Sequence, residues 1–324
     1  MKAIHCIEWG GPDRLRLVDL PLPEPAAGQV RIRVAAAGVN FPDALIIQKK
    51  YQVQPTLPFV PGTEVAGTVD AVGEGVAKLE PGDRVVAFVG IGGFAEHVCV
   101  AQAQVAPLPP GVDMAAAAGL TLTYATSQHA LAERGQLKTG ETLLVLGAGG
   151  GVGLAAVELG KLAGARVIAA ASSAEKLDAA RRLGADELID YSSADLREAV
   201  RSMTDGRGVD VVYDPVGGAY TTAALRALAW GGRLLVIGFA AGDIPQIPAN
   251  LLLLKEISAV GVYWGEFAKR DPAGNGRLMA QLFGWLAQGR LRPVVSKQYP
   301  LADTAQALQD LLSRRAVGKL VIRP

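Results

Sequence analysis

Apolar and polar positions follow two different periods along this chain. Up to about residue 112 the apolar residues come in short, β-branched runs at 1–8, 15–19, 30–37, 64–72, 84–88 and 96–100. Runs of that length and composition predict strands. Turn-forming residues separate them: Gly10-Gly11-Pro12, the proline-rich 21–25, 73–75, Pro81-Gly82-Asp83 and Gly92-Gly93. This half therefore reads as a small, partly open β-barrel and not as a βαβ array. An Ala-rich helix is expected over 113–132, with Asp113 as its N-cap.

From Thr142 the period changes to strand and helix in turn. Strands are predicted at 142–146, 166–171, 187–190, 209–213, 233–238 and 257–264, with helices at 175–183, 195–202, 220–227 and 249–254. Six strands in this alternation imply an α/β fold, a doubly wound parallel sheet that binds ligands at its carboxyl edge. Amphipathic helices follow at 278–288 and 304–314, then a strand at 319–322. The front half lacks a natural last strand, so this closing piece is expected to return to it. The resulting division is 1–118 completed by 265–324 for one domain and 119–264 for the other.

The stretch 142–173 organises the rest. A buried apolar run, Leu143 to Leu146, leads into GAGGGVG and then a helix expected to face inward with Val152, Ala155, Ala156, Leu159 and Leu162. Glycines allow a tight turn and close backbone approach to a pyrophosphate, and free N–H groups at the helix start attract that anion. The strict G-x-G-x-x-G is not met, because Ala148 stands where the first of those glycines would. What carries the reading is the context, a strand before and a helix with a second strand after, which assigns Gly150, Gly151, Val152 and Gly153 to dinucleotide binding.

The end of the second strand discriminates between nicotinamide cofactors. NAD sites place an acid there to accept from the ribose 2′-OH, whereas this strand ends Ala170-Ala171-Ser172-Ser173, with Lys176 following. Two hydroxyls and an ammonium suit a 2′-phosphate, and such charge-assisted bonds contribute roughly 1.5–3 kcal/mol. The expected cofactor is NADPH. The competing reading makes Lys176 a solvated lysine in the first turn of a helix.

Composition narrows the remaining classes. The 324 residues are 50% hydrophobic and 19% charged, with a net charge of +1, so no field favours nucleic acid or an anionic membrane. Cys6 and Cys99 are far apart and lack C-x-x-C spacing, which suits a reducing cytosol. The N-terminal MKAIHCIEWGGP lacks a signal core, and no apolar run reaches the roughly 20 residues a membrane helix needs. A cytoplasmic protein without a membrane segment is expected.

Several motifs in order, GVNFPD at 38–43, LPFVPGTEVAGTV at 57–69, PGDRV at 81–85, GLT at 119–121 and GAGGGVG at 147–153, resemble the zinc-free, zeta-crystallin-like quinone oxidoreductases of the medium-chain dehydrogenase/reductase superfamily. The resemblance spans essentially the whole chain; one departure is Glu158, where the signature has Gln. It implies a GroES-like domain joined to a Rossmann domain. Zinc-dependent relatives bind their metal through two cysteines and a histidine, and the matching positions here are Asn40, Thr63 and Ala118. With His5, His97 and His129 scattered, no open zinc site can be read. Alcohol oxidation loses its Lewis acid, and reduction by hydride is left.

The resemblance further places Asn40 and Thr121 by the nicotinamide and Tyr51 where related enoyl reductases carry a proton donor. Tyr191 corresponds to the tyrosine that joins the lysine at the 2′-phosphate. Phe239, Val262 and Tyr263 are expected to line the nicotinamide end. Each has a plainer alternative as a turn, helix or core residue. The function expected is NADPH-dependent reduction of quinones, small apolar carbonyl compounds that need mainly a positioned nicotinamide, an apolar slot and donors at the carbonyl oxygen. The alternative is reduction of α,β-unsaturated ketones, aldehydes or enoyl-CoA esters, with Tyr51 as proton donor and Lys49, Lys50, Lys269 and Arg270 as candidate contacts to a CoA phosphate. A non-catalytic NADPH-binding protein is a third reading. The resemblance also implies a homodimer that pairs the sixth strands, since 257–264 is apolar enough to need covering.

Overall fold

The computed structural model describes residues 1–324. They form two compact units, 1–122 with 281–324, and 123–280. The boundaries differ from the expected 118 and 264. Trp264 begins a helix, Trp264–Arg270, and its indole Nε1 donates to Asn275 Oδ1 at 2.9 Å, while Phe267 stacks on His129 at 4.2 Å. These contacts keep residues 264–280 with the second unit.

The first unit is built on the strand Gln29–Val39. One side of it pairs antiparallel with Glu64–Val72, and the sheet continues through Arg84–Phe88 to Val105–Pro107. Its other side is shared: residues 29–33 pair with His97–Ala101, whereas residues 37–39 pair with Lys319–Arg323, which carries Val295–Pro300 in parallel beyond it. Register shifts at Arg31/Ile32 and Val34/Ala36 bend the long strand so that it can serve both partners. Inward residues from these strands, among them Ile32, Val65, Val85 and Ile322, form one core together with Phe94 from the loop before His97. A separate ribbon pairs Lys2–His5 with Arg16–Asp19. The strand Val295–Pro300 was not expected, because SKQ in its middle is exposed and its pattern carries no period.

The second unit holds six parallel strands in the spatial order Glu187–Asp190, Arg166–Ala171, Thr142–Leu146, Val209–Asp214, Leu228–Val236, Ser258–Gly261. That is the doubly wound order with its switch point between Thr142–Leu146 and Val209–Asp214. Leu143 to Leu146 are fully buried, as a central parallel strand requires. The helix Gly151–Leu162 is covered almost all round, from Gly153 to Gly160, while Val152 and Leu162 are only half-buried. The expected single inward stripe was too narrow, because small residues let the helix sink onto the sheet: a Cβ on Gly160 would stand 2.7 Å from Leu143 Cδ2.

Burial of that helix also explains what becomes of Glu158. Its carboxylate lies inside and accepts the Tyr124 hydroxyl at 2.7 Å, and burial beside this carboxylate raises the phenol pKa well above its ordinary value. The sixth strand is shorter than expected and stands at the sheet edge, largely exposed. No helix is long and apolar enough to cross a membrane.

Because Leu144 lies in the central strand with no exposed surface, Leu144→Ala should destabilise the second unit by about 2–5 kcal/mol. Thermal unfolding checks this, and an unchanged melting temperature would contradict the packing described.

Candidate active site

In the first unit, chemistry-bearing side chains gather where Gln29–Val39 ends. Asn40 follows that strand, and Glu64 begins the strand beside it. Lys319 opens the C-terminal strand on the opposite side. All three side chains are buried. The Lys319 ammonium donates to Asn40 Oδ1 at 2.5 Å, to Glu64 Oε1 at 2.9 Å and to the Val39 carbonyl at 3.0 Å. Asn40 Nδ2 donates to the same Glu64 Oε1 at 2.7 Å and lies 3.3 Å from Thr63 Oγ1. The second Glu64 oxygen accepts from the Leu122 backbone N–H at 2.7 Å. Gly38 makes room for this carboxylate, since a Cβ there would collide with Glu64 Oε1 and the Ala118 carbonyl.

Asp43, wholly buried, accepts the Asn40 backbone N–H at 2.8 Å. Burial, only partly offset by that hydrogen bond and the Lys319 charge, pushes its pKa up to about 7. Thr121 is buried next to the pinned Leu122, and its hydroxyl has no hydrogen-bond partner in the chain. Asn40 and Thr121 thus reach one neighbourhood through Glu64. Tyr51 packs instead against the first unit's core, as do Trp9 and Leu57. Nowhere do three or more His, Cys, Asp or Glu side chains come together as metal ligands would, and an ammonium among Asn40, Thr63 and Glu64 is a donor set that repels a cation.

In the second unit the strand Thr142–Leu146 delivers a glycine turn. Gly147 has φ +57°, and Gly150 N–H donates back to its carbonyl at 3.0 Å. Gly150 then caps the helix without any side-chain hydrogen bond. Leu154 N donates to the Gly150 carbonyl at 2.8 Å, so the N–H groups of Gly151, Val152 and Gly153 precede that bond. Two glycines cannot be replaced here. A Cβ on Gly153 would collide with the Gly147 carbonyl, and one on Gly149 with the stem of Lys176. The second contact sets Lys176 directly against the glycine loop.

Lys176 Nζ lies 3.4 Å from Ser172 Oγ, and Ser173 is the N-cap of the next helix, Ala174–Arg182. Asp190 pairs with Ala171, which puts Tyr191 beside Ser172; the Tyr191 ring leans on Tyr220 at 4.5 Å. No carboxylate ends the Arg166–Ala171 strand. A backbone cradle that a Cβ would fill, with a lysine and hydroxyls at the neighbouring strand end, fits a dinucleotide carrying an extra phosphate.

Phe239 lies in a loop stitched to the turn at 215–218. Asp214 builds that turn: it accepts from Val216 N at 2.8 Å, Gly217 N at 2.9 Å and the Thr221 hydroxyl at 2.6 Å. The turn meets both Phe239, 3.0 Å from a would-be Gly217 Cβ, and the cofactor loop, where Val216 Cγ2 lies 3.0 Å from a would-be Gly147 Cβ. Val262 bonds back to the Val236 carbonyl, and Tyr263 is half exposed. Lys50 is held by Gln48, Arg270 by Glu266. Sequence reading missed Glu64, Lys319 and Asp214. The first stands inside a quoted motif, and the "D-P-V-G-G" run at 214–218 was a readable turn signal, but nothing local distinguishes Lys319.

Comparison with known proteins identifies the family. Residues 26–110 match the alcohol dehydrogenase GroES-like domain and residues 151–280 the zinc-binding dehydrogenase domain. The quinone oxidoreductase-like protein 2 homolog of Nematostella vectensis is 39% identical over 328 residues, covering 99% of this chain and 88% of that one. Escherichia coli quinone oxidoreductase, solved in complex with NADPH, superposes with a TM-score of 0.94 at 30% identity over 100% of both chains. A mycobacterial protein, also solved with NADPH, gives 0.93 at 35% identity, again over 100% of both. Identity at this level over full length leaves one conclusion: the chain belongs to the quinone oxidoreductase family of the medium-chain dehydrogenase/reductase superfamily and is an oxidoreductase.

Proposed function

We propose that this protein is an NADPH-dependent reductase of quinones, working without a metal ion. The observation that carries the reading is the glycine cradle at 147–153 with Lys176 and Ser172 against it and no acid at the strand end. Two relatives of full length whose structures hold NADPH support the cofactor, and relatives named quinone oxidoreductase support the acceptor.

Gly150, Gly151, Val152 and Gly153 hold the pyrophosphate through backbone N–H groups. Ser172, Ser173, Lys176 and Tyr191 hold the 2′-phosphate. When bound, NADPH supplies the hydride. Asn40 and Thr121 orient the acceptor and the nicotinamide, with Phe239, Val262 and Tyr263 excluding water at that end. Asn40 offers a hydrogen bond to the carbonyl oxygen, where negative charge grows as the hydride arrives. The hydroquinone anion left after hydride addition then needs only one proton from solvent to become the hydroquinone, so no dedicated proton donor is required and Tyr51 can remain a packed aromatic.

A second copy of the chain is the proposed partner of the sixth strand. Ser258–Gly261 ends the sheet with its outer edge unpaired, and Ile244, Leu253 and Leu254 stand 74%, 78% and 66% exposed in the same unit. An exposed edge with apolar neighbours calls for cover.

Following NADPH oxidation at 340 nm with para- and ortho-quinones, enones and enoyl-CoA esters tests the acceptor. Quinone turnover is expected to dominate, and turnover of enones alone would overturn the proposal in favour of enone reduction. Lys176→Ala should raise KM for NADPH by about 10- to 100-fold while leaving that for NADH nearly unchanged. In light scattering the wild-type protein should show twice the chain mass, and Leu253→Glu with Leu254→Glu should return it to one.

A further inference from the structure

The side chain expected to meet the acceptor is held by charges that come from two other parts of the chain. Lys319 has three N–H donors, and all three are used, on Asn40 Oδ1, Glu64 Oε1 and the Val39 carbonyl. It has no donor left for a substrate. Glu64 likewise spends Oε1 on Lys319 and Asn40, and Oε2 on the Leu122 N–H. Neither residue can act on the acceptor directly.

What they do together is settle Asn40. An ammonium only donates and a carboxylate only accepts, so the Asn40 amide has one allowed orientation, with Oδ1 on Lys319 and Nδ2 on Glu64. One N–H of Nδ2 goes to Glu64 Oε1 at 2.7 Å. The other has only long contacts, 3.3 Å to Thr63 Oγ1 and 3.4 Å to the Gly38 carbonyl. Bonds of that length are weak, so this hydrogen is the one the cluster leaves available. A cation on the amide oxygen draws electron density from the nitrogen and strengthens that N–H as a donor, and burial keeps water from screening the effect.

From this geometry we infer that Lys319 and Glu64 are positioning residues for the reduction: they orient and polarise the Asn40 carboxamide toward the acceptor's carbonyl oxygen. The inference deepens the proposed function and rests on its placement of Asn40 at the acceptor. The residues proposed to hold the phosphates of NADPH lie in the other unit and do not enter.

The pair is tested by the double variant Lys319→Met with Glu64→Gln, which removes both charges and leaves neither buried alone. Single Lys319→Arg keeps the cation. In the double variant, kcat/KM for the quinone should fall at least about tenfold, as loss of an oriented donor does. Its Kd for NADPH, read by fluorescence titration, should stay within about twofold. Lys319→Arg should recover a large part of the activity. Hydrogen exchange of the Asn40 side-chain amide, followed by nitrogen-15 NMR and assigned by its loss in Asn40→Ser, should be slow in the wild type and fast in the double variant. A double variant that keeps wild-type kcat/KM, or amide exchange equally slow in both proteins, overturns the inference. If the wild type reduces no quinone or enone, the proposed function fails, and the exchange measurement still decides whether the clamp exists.

Discussion

The ion pair between Lys319 and Glu64 is the interaction on which the first unit depends. Its side chains are 5% and 0% exposed, and either charge left alone in such a place costs about 3–5 kcal/mol. A charged Glu64 is therefore buried at that cost unless the C-terminal strand brings Lys319 to it, and Lys319 in turn needs the carboxylate. Three consequences follow in the backbone. Gly38 must lack a side chain, Leu122 is drawn to Glu64 Oε2, and Val39 offers its carbonyl to the ammonium. Residues nearly three hundred positions apart are thereby held as one structure, with Asn40 at its centre.

The second unit depends on close approach and not on charge. Its central strand is apolar from Leu143 to Leu146, and the helix Gly151–Leu162 settles on the glycine turn through Gly153 and on the strand through Gly160. Small residues let backbone meet backbone, and the turn that results has N–H groups and a lysine stem in contact range of one another. Asp214 repeats the idea at the switch point, where one carboxylate ties off two backbone N–H groups and a hydroxyl. Glu158 shows what such tight packing demands. A carboxyl drawn inside by its position on a wholly covered helix must find a donor, and Tyr124 supplies it.

Legibility of the fold varied with how far each element relies on its neighbours. The parallel strands were readable because burial on both faces forces continuous apolar runs, as in Leu143 to Leu146. The edge pieces were not. Val295–Pro300 is half exposed and polar, and the helix Trp264–Arg270 was not readable, because its first residue, Trp264, continues the preceding apolar run and reads as the end of the strand at 257–264. Its helical state comes from contacts of Trp264 and Phe267 with residues the local window does not contain.

The same division runs through the site. By itself the sequence determined the α/β order, the glycine turn and the missing acid after Ala171, because periodicity, turn chemistry and the choice of charge are properties of neighbouring residues. It also carried the family, through motifs whose order survives without any coordinates. Only the tertiary structure decided that Lys319, 279 positions from Asn40, is its hydrogen-bond donor, and that Glu64 faces inward to hold both. Those facts depend on which strands pair. Strand pairing across most of the chain brings these two opposite charges to one place, and no local pattern announces it.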